Sequence, residues 1–210
     1  MATSKLLDVA IREFGQRGLD GASTRGIAAA AGTAMSSITY HYGGKEGLYA
    51  AAVKHLDADM AEQLASVLPS GSASIPAEPA MARQEIRLLL DRLIERFLRD
   101  EDAERSLFIM REQMCPSAAF DHFYQGAIGR MAERLVALVQ TASGVSTTDA
   151  RITALALFGQ VMVWRTSRAL ADRVLGIPID EDCTTAIRRQ IARNTDSILD
   201  RLSADQQEPQ

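Results

Sequence analysis

The segment from Ser23 to Glu46 leaves few folds open to this chain. A short Ala-rich stretch ends in Ala28-Ala29-Ala30-Ala31-Gly32. After Thr33–Ser37 comes Ile38-Thr39-Tyr40-His41-Tyr42-Gly43-Gly44-Lys45-Glu46. Two short helices separated by a Gly turn, the second closing on aromatics and Lys, have the layout of a helix-turn-helix. Ser23 or Thr24 can cap the first of them by accepting a backbone N–H, although neither has Glu or Gln three residues on to complete a capping box. Gly26 weakens that helix by about 1 kcal/mol relative to Ala.

The rest of the chain repeats helical spacing and never alternates with period two over a strand length. Leu6, Leu7, Ala10, Ile11 and Phe14 predict a first helix over about Thr3–Arg17, broken by Gly15, Gly18 and Gly21. A long helix is expected from Lys45 to Val67, then a loop over Pro69–Pro79. Further helices are expected over Ala80–Asp100, Asp102–Met114, Ser117–Ser143, Thr147–Leu175 and Asp180–Leu202. The reading is all-α. It has an N-terminal three-helix helix-turn-helix domain over 1–48, a second helical domain over 49–204, and a flexible tail over 205–210.

Composition narrows the class of protein. With 47% hydrophobic and 24% charged residues, 210 residues can bury a real core. The densest apolar tract, Ile152–Trp164, is interrupted by Gly159 and Gln160 well short of a bilayer span, and no signal-like segment opens the sequence. A soluble, cytoplasmic protein without a membrane partner is expected. Cys115 and Cys183 lack metal-type spacing, which implies neither a disulfide framework nor a metal site. The net charge of −4 argues against coating nucleic acid by bulk attraction. Residues 1–60 balance Lys5, Arg12, Arg17, Arg25, Lys45 and Lys54 against Asp8, Glu13, Asp20, Glu46, Asp57 and Asp59, so the negative excess lies beyond them. The N-terminal part is the better candidate to approach phosphate.

At about 100° per residue, with Ile38 at the centre of the buried face, Tyr42 falls about 40° away, Thr39 about 100°, and Ser36 and Tyr40 about 160°. Ser36, Thr39 and Tyr40 therefore point outward. Met35 and Ser37 flank that face where a recognition helix meets base edges. The readers are small or apolar, which rules out bidentate Arg–guanine contacts from them. Thymine-methyl contacts by Met35 or Thr39, hydroxyl bonds from Ser36 and Ser37, Arg25 and DNA shape remain. Thr24, Tyr40, His41 and Lys45 suit phosphates, which set register.

Ile27-Ala28-x-x-Ala31-Gly32 followed by Ile38–Tyr49 resembles the TetR/AcrR transcriptional repressors over about residues 4–60. Arg111–Ser117 adds a resemblance to the subgroup with a CerR-like C-terminal domain. The resemblance implies that 1–48 is the helix-turn-helix DNA-binding domain and 49–204 a C-terminal helical ligand-binding and dimerisation domain, with a homodimer on a palindromic double-stranded DNA operator, repression, and release when a small-molecule effector binds the C-terminal domain. Ala34, where a Ser-type cap is common, and Gly44, where Ser or Asn is common, depart from the pattern at the helix cap and at one phosphate contact.

Two C-terminal helices suit an intermolecular four-helix interface: Ile152, Leu155, Gly159 and Met162 on one, and Ile187, Ile191, Ile198 and Leu202 on the other. Reading heads must reach grooves about 34–36 Å apart, which favours a dimer over a monomeric bundle. Phe108, Arg111, Glu112, Met114, Phe123, Met162, Trp164 and Arg165 are candidates to line an amphipathic ligand's cavity, although such a set at helical spacing also builds ordinary cores. Arg111, if buried, requires an acidic partner or a ligand anion.

An enzyme is disfavoured. Neither Gly-x-Ser-x-Gly nor His-Glu-x-x-His occurs, no cofactor motif appears, and Gly15-x-x-Gly18-x-x-Gly21 follows a helix rather than a strand. A helical protein–protein interaction module that does not bind DNA is the remaining alternative.

Overall fold

The computed structural model describes residues 2–65, 74–98 and 103–206. The described residues form α-helices and no strand: α1 (Ala2–Gly21), α2 (Thr24–Ala31), α3 (Met35–Tyr42), α4 (Lys45–Gln63), α5 (Pro79–Phe97), α6 (Ala103–Met114), α7 (Phe120–Gln125), α8 (Ala127–Ser143), α9 (Thr147–Thr166), α10 (Arg168–Leu175) and α11 (Glu181–Asp205). Most of the loop expected over Pro69–Pro79, and the tail beyond 206, lie outside the described residues.

Three of the expected helices are bent or broken. The first helix does not stop at Arg17. It bends at Gly18, whose φ of 72° only glycine adopts without strain, and continues to Gly21. The helix expected over Ser117–Ser143 is broken at Gly126, where the Asp57 carboxylate accepts a hydrogen bond from Ala127 N at 2.6 Å and so supplies the N-terminus of α8 with an acceptor. The helix expected over Thr147–Leu175 is broken at Ser167 (φ −119°, ψ 32°), just after Thr166 turns its hydroxyl back onto the Met162 carbonyl at 3.1 Å.

The described residues pack as two compact units that do not follow chain order. One draws on 1–63 and 101–129, the other on 64–100 and 130–210. In the first, α1 to α4 share a core with α6 and α7. Ile11, Phe14, Ile27, Ile38, Leu48 and Leu56 are buried with Tyr49, Phe108 and Phe123. The rings meet mostly edge to face, Phe14 against Tyr49 at 4.8 Å and Phe108 against Phe123 at 6.3 Å, the arrangement ring quadrupoles favour. Gly15 allows the close approach of α1 to α6, because a Cβ there would sit 3.2 Å from the Glu104 carbonyl and the Phe108 amide.

In the second unit, Ile86, Leu89 and Leu93 of α5, Leu135 and Leu138 of α8, Leu157 and Val161 of α9, and Ile187 and Ile191 of α11 form one core. Arg83–Asp200, Arg87–Asp196 (2.6 Å) and Arg188–Asp91 (3.0 Å) pair α5 with α11 along their polar margins. Ser146 and Asp180 cap α9 and α11 by accepting from Asp149 N and Cys183 N. No helix among the described residues is long and apolar enough to cross a membrane.

Candidate nucleic-acid interface

Ser23 caps α2, its hydroxyl accepting from Gly26 N at 3.4 Å. Gly32 ends the helix in the left-handed conformation, and Thr33 N returns to the Ala28 carbonyl at 2.9 Å. The chain then enters α3 through Ala34, whose side chain supplies no cap, and leaves it at Gly43, again with positive φ. These two glycine turns set where α2 ends and where α3 ends.

Ile38 is 1% exposed and anchors α3 in the core, with Tyr42 packed beside it. Tyr40 is 85% exposed and Met35 51%; Ser36, Thr39 and His41 are exposed, and Ser37 is half-buried. The Tyr40 and His41 rings lie 5.0 Å apart, edge to face. Arg25 is exposed on the first turn of α2, beside half-buried Thr24. Lys45 is half-buried and donates from Nζ to the Asp20 carbonyl at 3.0 Å. An ammonium has three donors, so this tether leaves others for an anion. α3 thus presents hydroxyls, an imidazole, an apolar Met and no carboxylate, a face suited to a polyanion's groove.

The residues singled out for a ligand fall into two groups. Phe108 and Phe123 are buried in the first unit's core, and Met114 is exposed at the end of α6. Arg111 answers the expectation of an acid or a ligand anion differently. Its Nε and Nη2 donate to the Gly15 and Gln16 carbonyls, both at 3.0 Å. Glu112, 2% exposed, accepts from the Tyr49 hydroxyl and from Ser117 N (3.3 Å) and Oγ (2.9 Å). Burial, then the bond to this carboxylate and its charge, push the Tyr49 phenol well above its ordinary value. Met162, Trp164 and Arg165 belong to the second unit and are half-buried. Trp164 packs on its core, and Arg165 reaches the Phe97 carbonyl at 3.4 Å.

The expected interface helices also divide. Ile152 (62% exposed), Leu155 (68%) and Gly159 form an outward face on α9, with Met162 half-buried at its edge. Ile187 and Ile191 are buried in their own unit, and Ile198 and Leu202 pack against the same core. Within one copy the α11 stripe packs against α5, α8 and α9, whereas the α9 face stays outward. Sequence reasoning missed Tyr49, Asp57 and Ser117. Their partners lie far along the chain or, for Ser117, across a helix end.

Residues 6–52 match the family described as bacterial regulatory proteins, tetR family, and residues 82–202 match the C-terminal domain of the HTH-type transcriptional dual regulator CecR. The chain belongs to the TetR family of transcriptional regulators, in the branch with a CecR-type C-terminal domain. It is 30% identical over 209 residues to the HTH-type transcriptional dual regulator CecR of Shigella flexneri, covering 96% of this chain and 93% of that protein. Two solved structures share the fold. A TetR-like transcriptional regulator from Rhodococcus sp. RHA1 has a TM-score of 0.61 and 24% identity, over 91% of this chain and 93% of that one. A TetR transcription regulator from Haloarcula marismortui ATCC 43049 has a TM-score of 0.62 and 19% identity, over 93% and 97%.

Proposed function

We propose that the protein is a homodimeric repressor that holds a palindromic operator and releases it when a small amphipathic molecule binds the 49–204 part. The observation that carries the DNA reading is the α3 face: Ser36, Thr39 and Tyr40 outward, Ile38 and Tyr42 inward, and no carboxylate on the helix. Met35, Ser36, Ser37 and Thr39 read base edges with Arg25. Thr24, Tyr40, His41 and Lys45 set register on phosphates. The exposed α9 face of Ile152, Leu155 and Gly159 supports a two-fold contact between copies. Release requires the effector to prefer one C-terminal arrangement over the other. That preference, passed through α4, changes the separation of the two reading heads. A relative described as a dual regulator favours a second reading of the sign, in which the same operator contact also activates.

Selection of bound sequences from a random duplex pool tests this, followed by affinity as a function of salt. A palindrome with half-sites about one helical turn apart is expected, with affinity falling as salt rises. Lys45→Ala should weaken binding to every duplex and reduce the salt slope by about 2, about 1 for each subunit's lysine. Met35→Ala and Thr39→Ala should instead change the selected sequence, each shifting discrimination by about 1 kcal/mol or more. Wild-type behaviour in all three variants would remove the contact assignment. Absence of any duplex preference would leave the protein-interaction module.

A further inference from the structure

We infer that Arg111 and Glu112, neighbours on α6, are positioning residues for operator reading: Arg111 holds α1, which packs on α2 and α4, and Glu112 holds α4, which packs directly on α3. The inference rests on the DNA-binding reading above and extends it to two side chains that hydrogen-bond other helices of the same unit.

The argument begins at Gly18. A helical carbonyl expects the amide four residues on, and Gly18, with φ 72° and ψ 175°, takes the chain out of helical geometry within that span. The carbonyls of Gly15 and Gln16 precede this bend, and the Arg111 guanidinium donates to both at 3.0 Å. Its planar fork spans two adjacent acceptors, which the point charge of a lysine does less well. The bend and the fork are built for each other: a Cβ on Gly18 would stand 3.0 Å from Arg111 Nη1. One residue on, about 100° around α6, Glu112 faces α4 instead. A carboxylate 2% exposed is costly unless its lone pairs are filled, and here the Tyr49 hydroxyl, Ser117 N and Ser117 Oγ fill them. Tyr49 lies within the first turns of α4, and its ring packs against Phe14 of α1 and Phe108 of α6. Ile38 and Tyr42 seat α3 in the core shared by α1, α2 and α4, and α3 packs directly on α2 and α4, so a shift of those helices carries it.

The test uses the full chain and the palindromic duplex that the wild type selects, alongside duplexes lengthened or shortened by one base pair between half-sites. Arg111→Met and Tyr49→Phe are expected to bind the selected duplex about ten-fold or more weakly, a loss of about 1.4 kcal/mol. Their preference for the selected spacing over the altered ones should fall toward unity. The salt slope should be unchanged, because the phosphate contacts remain. Arg111→Lys, which restores a donor to the same carbonyls, should recover part of both affinity and spacing preference. Variants that stay helical and keep wild-type affinity and spacing preference would overturn the inference, even if they melt earlier, since a purely structural role moves only the melting point. Tyr49→Phe removes a single oxygen and decides the matter if Arg111→Met does not fold. A wild type that selects no duplex is a separate outcome, and it overturns the DNA-binding reading together with this one.

Discussion

Tyr49 joins chemistry to pH at the scale of one residue. Its phenol is buried and donates to Glu112, so the folded state holds the phenolic proton more tightly than the unfolded chain does. The sign follows from proton counts. Above the ordinary tyrosine value of about 10 the unfolded chain releases this proton while the folded protein keeps it, so stability falls as pH rises through that region. Below it both states are protonated and the contribution is fully present. Chemical denaturation of wild type and Tyr49→Phe at several pH values between about 8 and about 11 should show a steeper loss in the wild type. Near neutrality Tyr49→Phe should cost about 1.5–3 kcal/mol, the range for a hydrogen bond to a charged group. Parallel pH curves for the two proteins would mean the phenol is not held by Glu112. Tyr40, 85% exposed on α3, shows how little residue type alone conveys, since periodicity already separates it from Tyr42 two positions later.

At the scale of elements, the α7–α8 junction gives the sharpest test. Asp57 on α4 accepts from Ala127 N at 2.6 Å, and a Cβ on Gly126 would stand 2.0 Å from its Oδ1. Gly126→Ala should therefore push the carboxylate away and destabilise the protein by about 1–3 kcal/mol, the range for overpacking. Asp57→Ala should cost about 0.5–2 kcal/mol, as the loss of a helix cap does. The double variant should cost less than the sum, because without the carboxylate the added methyl has nothing to meet. Strict additivity in urea unfolding would show that the two residues do not act on each other. This junction also marks where sequence reading ends. α2, its Gly turn and α3 were legible because caps, glycines and the Ile38 phase lie within twenty residues of one another. The break at Gly126 depends on a side chain almost seventy residues earlier. Arg111 was singled out as a ligand candidate that, if buried, needs an acid or a ligand anion, and the spacing could not show that backbone carbonyls at a bend in α1 accept from it.

For the whole molecule, the proposed homodimer needs a helix face that is free to meet a second copy. Periodicity identifies an apolar stripe but not what covers it, and the stripes of α9 and α11 therefore looked equivalent. They are not: Ile187 and Ile191 are consumed by their own core, whereas Ile152 and Leu155 on α9 remain exposed beside Gly159. A two-fold contact uses the same patch on both subunits, so one substitution acts twice across it. Leu155→Arg should bring two guanidinium groups together at the proposed contact while disturbing little within a subunit, because the leucine is 68% exposed. Ile187→Arg should unfold the second unit instead, since it forces a charge into a buried position. Sedimentation should report wild type as a dimer and Leu155→Arg as a folded monomer. The monomer should bind a full palindrome no more tightly than an isolated half-site, because it has lost the gain from a linked second head. If Leu155→Arg remains dimeric with undiminished operator affinity, the α9 face is not the contact, and the two heads must be joined through some other surface.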